Sequence, residues 1–96
     1  MVVEEMVGSR SAKRIVIVTN PAGLHARPSA AIAQVVRRFK SKVQIGSCNE
    51  VVDAGNILEL LTLGAPQGSK LVLTAKGPDA EQVLDAVVEE LAKDYE

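Results

Sequence analysis

The order of structural elements is decided at residues 20–29, which read NPAGLHARPS. This run follows residues 13–19, a stretch rich in β-branched side chains that predicts a strand. After it, apolar residues recur at the spacing of one helical face, at Ile32, Val35, Val36 and Phe39. Gly23 permits a close backbone approach at the junction. We therefore predict a strand that turns into a helix, with His25, the chain's one histidine, at or just before the helix start.

Composition limits the class of protein. A chain of 96 residues fits one domain, and 47% hydrophobic with only 2% aromatic residues predicts an aliphatic core. The net charge of −1 indicates neither nucleic acid nor an anionic membrane as a partner. Cys48 is the one cysteine, which excludes an internal disulfide and favours a reducing compartment. Without a membrane-length apolar run or a basic leader, we expect a soluble cytoplasmic protein.

The rest of the chain divides into short elements. Residues 1–12 show no period and are predicted to be a mobile extension before a single domain at 13–96. Residues 13–19 are apolar on both faces, which favours a central strand. Strands are also predicted at 42–47, 51–53 and 69–76. Asn56 is a suitable N-cap for a helix that ends before Gly64, and a last helix follows Asp79.

The predicted order is therefore β-α-β-β-α-β-α, an α/β (α+β) arrangement. Amphipathic helices must bury their apolar stripes, and one sheet with every helix on the same face satisfies all three of them. We expect a two-layer open-faced sandwich of an antiparallel four-stranded sheet, with its second face in solvent.

His25 has the surroundings that phosphoryl chemistry needs. An imidazole with an ordinary pKa of about 6.5 is a nucleophile near neutral pH, and a phosphoryl group on its nitrogen is labile enough for relay. At the helix start, the backbone amides of Ala26 and Arg27 would form an anion site. The Arg27 side chain can reach phosphoryl oxygens with two donors. Pro28 is compatible with the first turn because its missing N–H has no partner there.

The same residues allow other interpretations. A lone histidine before a helix is more often a cap or a surface residue. With no second histidine, a hydrolytic triad or a His-rich metal site is poorly supported, and we expect no metal and no cofactor. Basic residues follow the first helix at Arg37, Arg38, Lys40 and Lys42. They lack interleaved aromatics, so a solvated helix end is a better interpretation than nucleic-acid binding.

The run GLHARPS at residues 23–29 resembles the active-site signature of the HPr family, phosphocarriers of the bacterial phosphoenolpyruvate-dependent phosphotransferase system. Residues 61–68, LTLGAPQG, are similar to the exit from that family's second helix, and residues 71–91 to its last strand and helix. The resemblance covers residues 13–96 and includes the βαββαβα order. It implies a phosphoryl carrier, for sugar transport or for a nitrogen-branch acceptor, rather than a true enzyme.

The resemblance also implies residue roles. His25 would accept a phosphoryl group from phosphorylated enzyme I and pass it to a downstream acceptor, while Arg27 stabilises the phosphate. A monomer would dock its partners through an apolar patch, in which Ile57 and Leu58 are expected to be the exposed pair. The expected partner-binding residues are Leu24, Ala26, Ile57, Leu58, Leu61 and Thr62.

Two positions depart from the family pattern. Ala22 replaces a small polar residue, so we expect a less restrained loop before His25. Asn56 stands where many relatives have a regulatory serine, which preserves the helix cap but cannot accept a phosphoryl ester. The intact His25 and Arg27 also allow an alternative function, a regulatory binding module whose phosphorylation state controls docking.

Overall fold

The computed structural model describes residues 10–24, 26–48 and 50–93. The elements, in chain order, are β1 (Ser11–Ile17), α1 (Ala26–Arg37), β2 (Lys42–Gly46), β3 (Val51–Asp53), α2 (Ile57–Leu63), β4 (Lys70–Lys76) and α3 (Ala80–Ala92). The strands form one antiparallel sheet in the order β1-β4-β2-β3. The predicted βαββαβα order and fold class are confirmed. No helix in the described ranges is long and apolar enough to cross a membrane.

The core is aliphatic and lies between the sheet and the helices. The strands contribute alternate residues, and the helices contribute one stripe each. Its fully buried members include Ile32, Val43, Ile45, Leu60, Leu71, Leu73, Val83, Leu84 and Val87. Because each large aliphatic side chain stabilises the fold by about 1.5–3 kcal/mol on burial, this set is the main source of stability.

β1 is an edge strand, and the prediction of a central position is wrong. Among the described strands it pairs with β4 alone. Val16 packs on the core, whereas Ile15 and Ile17 point away from the helices and are exposed. Apolar residues on both faces therefore reflect an exposed apolar surface here rather than burial of both faces.

The strand also begins earlier than expected. Ser11 and Ala12 pair with Lys76 and Ala75 of β4, so they belong to the sheet rather than to an extension. The boundary predicted after residue 12 lies too late, because the alternation of Ser and Ala is too weak to mark a strand. The rest of the predicted extension, residues 1–9, lies outside the described residues.

The Asp79 side chain connects the turn after α1 with the start of α3. Its carboxylate accepts hydrogen bonds from the backbone amides of Lys40 at 2.9 Å and Ser41 at 2.8 Å, and from the Ser41 hydroxyl. The bond from the Lys40 amide, and then that from the Ser41 hydroxyl, lower the pKa of Asp79 below its ordinary value. The carboxylate form thus ties the turn after α1 to the start of α3.

Replacing this carboxylate should change how stability depends on pH. A lowered folded-state pKa stabilises the fold above the unfolded pKa of about 3.9, and this contribution is lost as the pH falls through the folded value. We expect Asp79→Asn to be less stable than the wild type near neutral pH, with a difference that narrows below about pH 4. Urea unfolding across this range measures it.

Asp85→Asn is the matched control, since Asp85 contacts only the exposed Arg14 at the surface among the bonds described. Its stability should stay close to that of the wild type at every pH. A difference between Asp79→Asn and the wild type that is constant with pH would contradict this role of Asp79.

Candidate functional site

The loop before α1 is closed by Asn20. Its side-chain Oδ1 accepts a hydrogen bond from the Ala22 amide at 3.0 Å, and its backbone carbonyl accepts one from the Gly23 amide at 2.8 Å. Asn20 itself is buried. The effect expected of Ala22 on the loop stays a prediction, and the Asn20 side chain restrains the loop from two residues upstream. The Asn-Pro dipeptide, a frequent turn initiator, was the available sequence signal.

The same loop is bonded to the connection between α2 and β4. The Leu24 amide donates to the Ala65 carbonyl at 2.7 Å, and the Gly68 amide donates to the Val18 carbonyl at 2.8 Å. The Gln67 side chain adds a bond to the Thr19 carbonyl at 3.0 Å. These bonds extend the β1–β4 pairing past the ends of both strands. They fix the entry to α1 beside the exit from α2.

Gly23 is the point of closest approach between the two loops. Its φ is +74°, and a Cβ at this position would lie 2.6 Å from the Ala65 carbonyl oxygen and 3.0 Å from the Pro66 Cα. Both neighbours are backbone atoms, so neither can shift without a cost in free energy. This position therefore requires a glycine for two reasons, its backbone conformation and the absence of a side chain.

His25 lies outside the described residues, but both of its chain neighbours are placed. Leu24 is held against Ala65, and Ala26 is the first residue of α1. The helix offers no internal acceptor to the amides of its first turn, and its N-terminus bears partial positive charge. Ala26 and Arg27 are exposed, whereas Pro28 and Ser29 are buried and anchor the turn. The first turn of α1, which follows His25 in the sequence, therefore has the exposure and the partial positive charge that an anion site would need.

Two apolar side chains of α2 are exposed to solvent. Leu58 is 72% exposed and Leu61 is 40% exposed, and Thr62 beside them is exposed as well. Since Ala65 follows the end of α2 and bonds to Leu24, the last turn of α2 lies close to the start of α1. We call Leu58, Leu61 and Thr62 the α2 patch.

Two of the expected partner contacts are placed differently. Leu24 is buried in the core, so its assignment as a partner contact is wrong: the bond from its amide to Ala65 directs the side chain inward. Ile57 is half-buried and packs on the core, so the expected exposed pair of Ile57 and Leu58 is wrong. Ile57 and Leu60 lie three residues apart on the inner helical face, which turns Leu58 and Leu61 outward.

Asn56 caps α2 as predicted. Its Oδ1 accepts hydrogen bonds from the amides of Leu58 at 3.0 Å and Glu59 at 3.3 Å. The Glu59 carboxylate in turn accepts from the Asp53 amide at 2.9 Å. At the other end Gly64 adopts the left-handed conformation, with its amide bonded to the Leu60 carbonyl. Both caps are needed because a helix of seven residues is too short to be stable alone.

The basic residues after α1 do not form one surface. Arg37 donates from Nε to the Gly55 carbonyl at 3.0 Å and so connects the end of α1 to the loop before α2. Lys42 instead begins β2 and faces away from the helices with Gln44. The structure therefore divides this group between the end of α1 and the sheet.

Comparison with known proteins finds that the chain matches one family. Residues 12–93 match the family model described as the PTS HPr component phosphorylation site. A phosphocarrier protein HPr from Treponema pallidum is 39% identical over 74 residues, which are 77% of this chain and 84% of that protein. The crystal structure of a phosphocarrier protein HPr from Bacillus anthracis aligns with a TM-score of 0.78 at 31% identity, over 83% of this chain and 95% of that one.

Some relatives are much longer. A multiphosphoryl transfer protein from Haemophilus influenzae is 36% identical over 78 residues, or 78% of this chain. The chain spans only 16% of the length of that protein. Domains similar to this chain therefore also occur as one part of larger phosphoryl transfer proteins.

The close approach of Gly23 to Ala65 should affect the free energy of unfolding of variants at residue 23. Gly23→Ala adds a methyl group against backbone atoms in addition to the strain of a positive φ, so we expect a loss of more than about 2 kcal/mol in the free energy of unfolding. Gly68→Ala is the control: its φ is +91°, but nothing lies within 4 Å of the added Cβ. It should lose only the backbone strain, about 1–2 kcal/mol. Equal losses in urea unfolding would show that the Gly23–Ala65 approach is not restrictive.

Proposed function

This chain belongs to the HPr family of phosphotransferase-system phosphocarriers, and we propose that His25 accepts a phosphoryl group from phosphorylated enzyme I and passes it to a downstream acceptor. The main observation is the placement of the signature: His25 directly precedes Ala26, the first residue of the twelve-residue helix α1. We propose that a group bonded to this imidazole lies next to the amides of the first helical turn. Bacterial cytoplasm is the compartment in which we expect this relay.

The proposed transfer exchanges one nitrogen–phosphorus bond for another. The neutral ring nitrogen of His25 attacks the phosphorus in line with the donor nitrogen, and the donor imidazole leaves with the electron pair of the broken bond. The negative charge stays on the three phosphoryl oxygens throughout. Donors that are already oriented toward these oxygens lower the barrier without further rearrangement. The amides of Ala26 and Arg27 are proposed as these donors.

The Arg27 side chain is proposed to hold the phosphoryl group during transfer. Arg27 is in the first turn of α1 and is exposed, so it can meet a group on His25 from the solvent side. A guanidinium group binds two phosphoryl oxygens at once through its planar set of donors. Because the same contact forms with incoming and outgoing phosphate, it would assist both halves of the relay.

The α2 patch, together with Ala26, is proposed as the surface that donor and acceptor share. Leu58 and Leu61 are exposed on α2, and the last turn of α2 lies close to the start of α1, which is where a partner must lie to reach His25. Two exposed apolar side chains support only a small, transient interface, as a relay protein needs in order to exchange partners. We therefore propose that the chain acts as a monomer.

We also propose that the family's serine kinase does not control this chain, because Asn56 occupies the position of the regulatory serine at the start of α2. Asn56 fills the capping position with two hydrogen bonds and has no hydroxyl group to phosphorylate. Any control over His25 would then come from its partners. Labelling of Ser47 or Ser69 by the family's serine kinase would contradict this proposal.

Incubation with phosphoenolpyruvate and enzyme I tests the function directly. Intact-mass measurement at alkaline pH should show one added phosphoryl group that is lost in acid, and His25→Ala should show none. Arg27→Ala should acquire the group more slowly, with the free energy of unfolding changed by no more than about 0.5 kcal/mol. Arg38→Ala, an exposed arginine beyond the other end of α1, is the control and should react at the wild-type rate.

An adduct that persists in His25→Ala, or that survives acid, would contradict the proposal. Onward transfer to sugar-permease domains distinguishes the alternative. A phosphorylated protein that binds such domains without transferring the group would be a regulatory binding module instead of a carrier.

A further inference from the structure

The sheet face turned away from the helices presents its side chains in transverse rows. Ile15 of β1 is opposite Val72 of β4, Val72 is opposite Gly46 of β2, and Gly46 is opposite Val51 of β3. Cross-strand partners in an antiparallel sheet point to the same face. These four residues, here called the apolar row, therefore form one line across all four strands.

The apolar row is continuous, and its two ends are exposed. Ile15 is 58% exposed and Val51 is 62% exposed. A Cβ on Gly46 would lie only 3.3 Å from a methyl carbon of Val51, so the Val51 side chain covers the glycine and closes the gap in the row. Single exposed apolar residues are ordinary, but an aligned set is typical of an interaction surface. Ile17, also exposed, enlarges the row at the β1 edge.

Lysines flank the apolar row on both sides. Lys70 is opposite Ile17 on one side. On the other side are Lys13 and, one row further, Lys42 and Lys76, which are directly opposite each other across β2 and β4. Among the described residues no ion pair involves these four lysines. Like charges placed opposite each other destabilise a sheet unless an anion lies between them.

The charge of this face differs from that of the whole chain. Its paired rows contain four lysines and one acid, Asp53, whereas the chain has a net charge of −1. A shallow cavity of about 450 Å³ lies among Lys42, Gln44, Asp53, Thr74 and Lys76. An apolar centre with a polar, positively charged border is the usual anatomy of a protein–protein interface.

We propose that this open face is a second docking surface, and that its partner is a protein segment with carboxylates on both sides of an apolar stripe. The apolar stripe would cover the apolar row, and the carboxylates would reach Lys70 on one side and the Lys42–Lys76 pair on the other. Strands spaced about 4.8 Å apart make the face small, so the complex is transient. This surface is separate from the α2 patch and from His25, and it does not depend on the phosphocarrier function.

Other occupants fit the face less well. A second copy of the chain would bring one lysine-rich face against another, which like charges oppose. An anionic membrane suits lysines, but membrane-surface sites are rich in Trp and Tyr, and the rows contain neither residue. A partner with acidic side chains satisfies both the charge and the apolar row.

The test uses the full chain, labelled with ¹⁵N, and a synthetic helical peptide with a leucine stripe bordered by glutamates. We expect the peptide to shift the amide resonances of the apolar row and the lysine rows. Adding salt to about 0.5 M should weaken binding, because the lysine contacts are exposed to screening. A peptide in which lysines replace the glutamates should not bind.

Variants separate the two contributions. Ile15→Ser combined with Val51→Ser should weaken peptide binding about tenfold, since these are the exposed apolar side chains of the row and interface affinity concentrates in a few residues. Lys42→Gln combined with Lys76→Gln should weaken it and reduce its dependence on salt. Leu58→Ser is the control: it removes a similarly exposed side chain from the α2 patch and should leave peptide binding unchanged.

Four results would overturn the proposal. The first is equal binding of the lysine peptide, and the second is a set of amide resonance shifts confined to α1 and α2. The third is binding to phosphatidylserine vesicles without binding to the acidic peptide. The fourth is self-association that Ile15→Ser abolishes. The third would identify a membrane as the occupant, and the fourth would identify a second copy of the chain.

Discussion

The backbone of Gly23 lies against the carbonyl group of Ala65 with no space for a side chain between them. One residue later the Leu24 amide donates to that same carbonyl. Together these contacts fix where the chain leaves the loop and enters α1. The residues on either side of His25, Leu24 and Ala26, are therefore positioned by a contact with a distant part of the chain. The proposed relay depends on this contact because transfer requires the imidazole, the helix amides and a docked partner to meet at one point.

The sheet separates the two proposed docking surfaces. On the helix side, α1 and α2 pack beside each other, and Leu58 and Leu61 of α2 are exposed. On the open side, the same strands hold the apolar row and the lysines at fixed spacings. A partner on one side of the sheet does not block the other side. The chain could thus exchange phosphoryl groups through the α2 patch while it is docked through the open face.

Local features of this fold were predictable from sequence because local rules decide them. The helical spacing of Ile32 and Val36, the cap at Asn56 and the left-handed Gly64 each depend on a few neighbouring residues, and each prediction is confirmed. The signature around His25 likewise indicated the start of α1 to within one residue.

Features that depend on distant residues were not predictable. The burial of Leu24 accompanies a bond from its amide to Ala65, in a distant part of the chain. The edge position of β1 depends on which strands pair, and apolar residues on both faces indicated the wrong answer. No pattern within β1 shows that Ile15 aligns with Val72 and Val51, since the register belongs to the assembled sheet.

The rate of phosphoryl transfer in the glycine variants tests the central claim most directly. Single-turnover transfer from phosphorylated enzyme I should be compared for the wild type, Gly23→Ala and Gly68→Ala, under conditions in which all three are folded. If the Gly23–Ala65 contact positions His25, Gly23→Ala should transfer at least about tenfold more slowly, because small displacements of reacting groups are costly. Gly68→Ala should match the wild type. Equal rates for Gly23→Ala and the wild type would contradict the account.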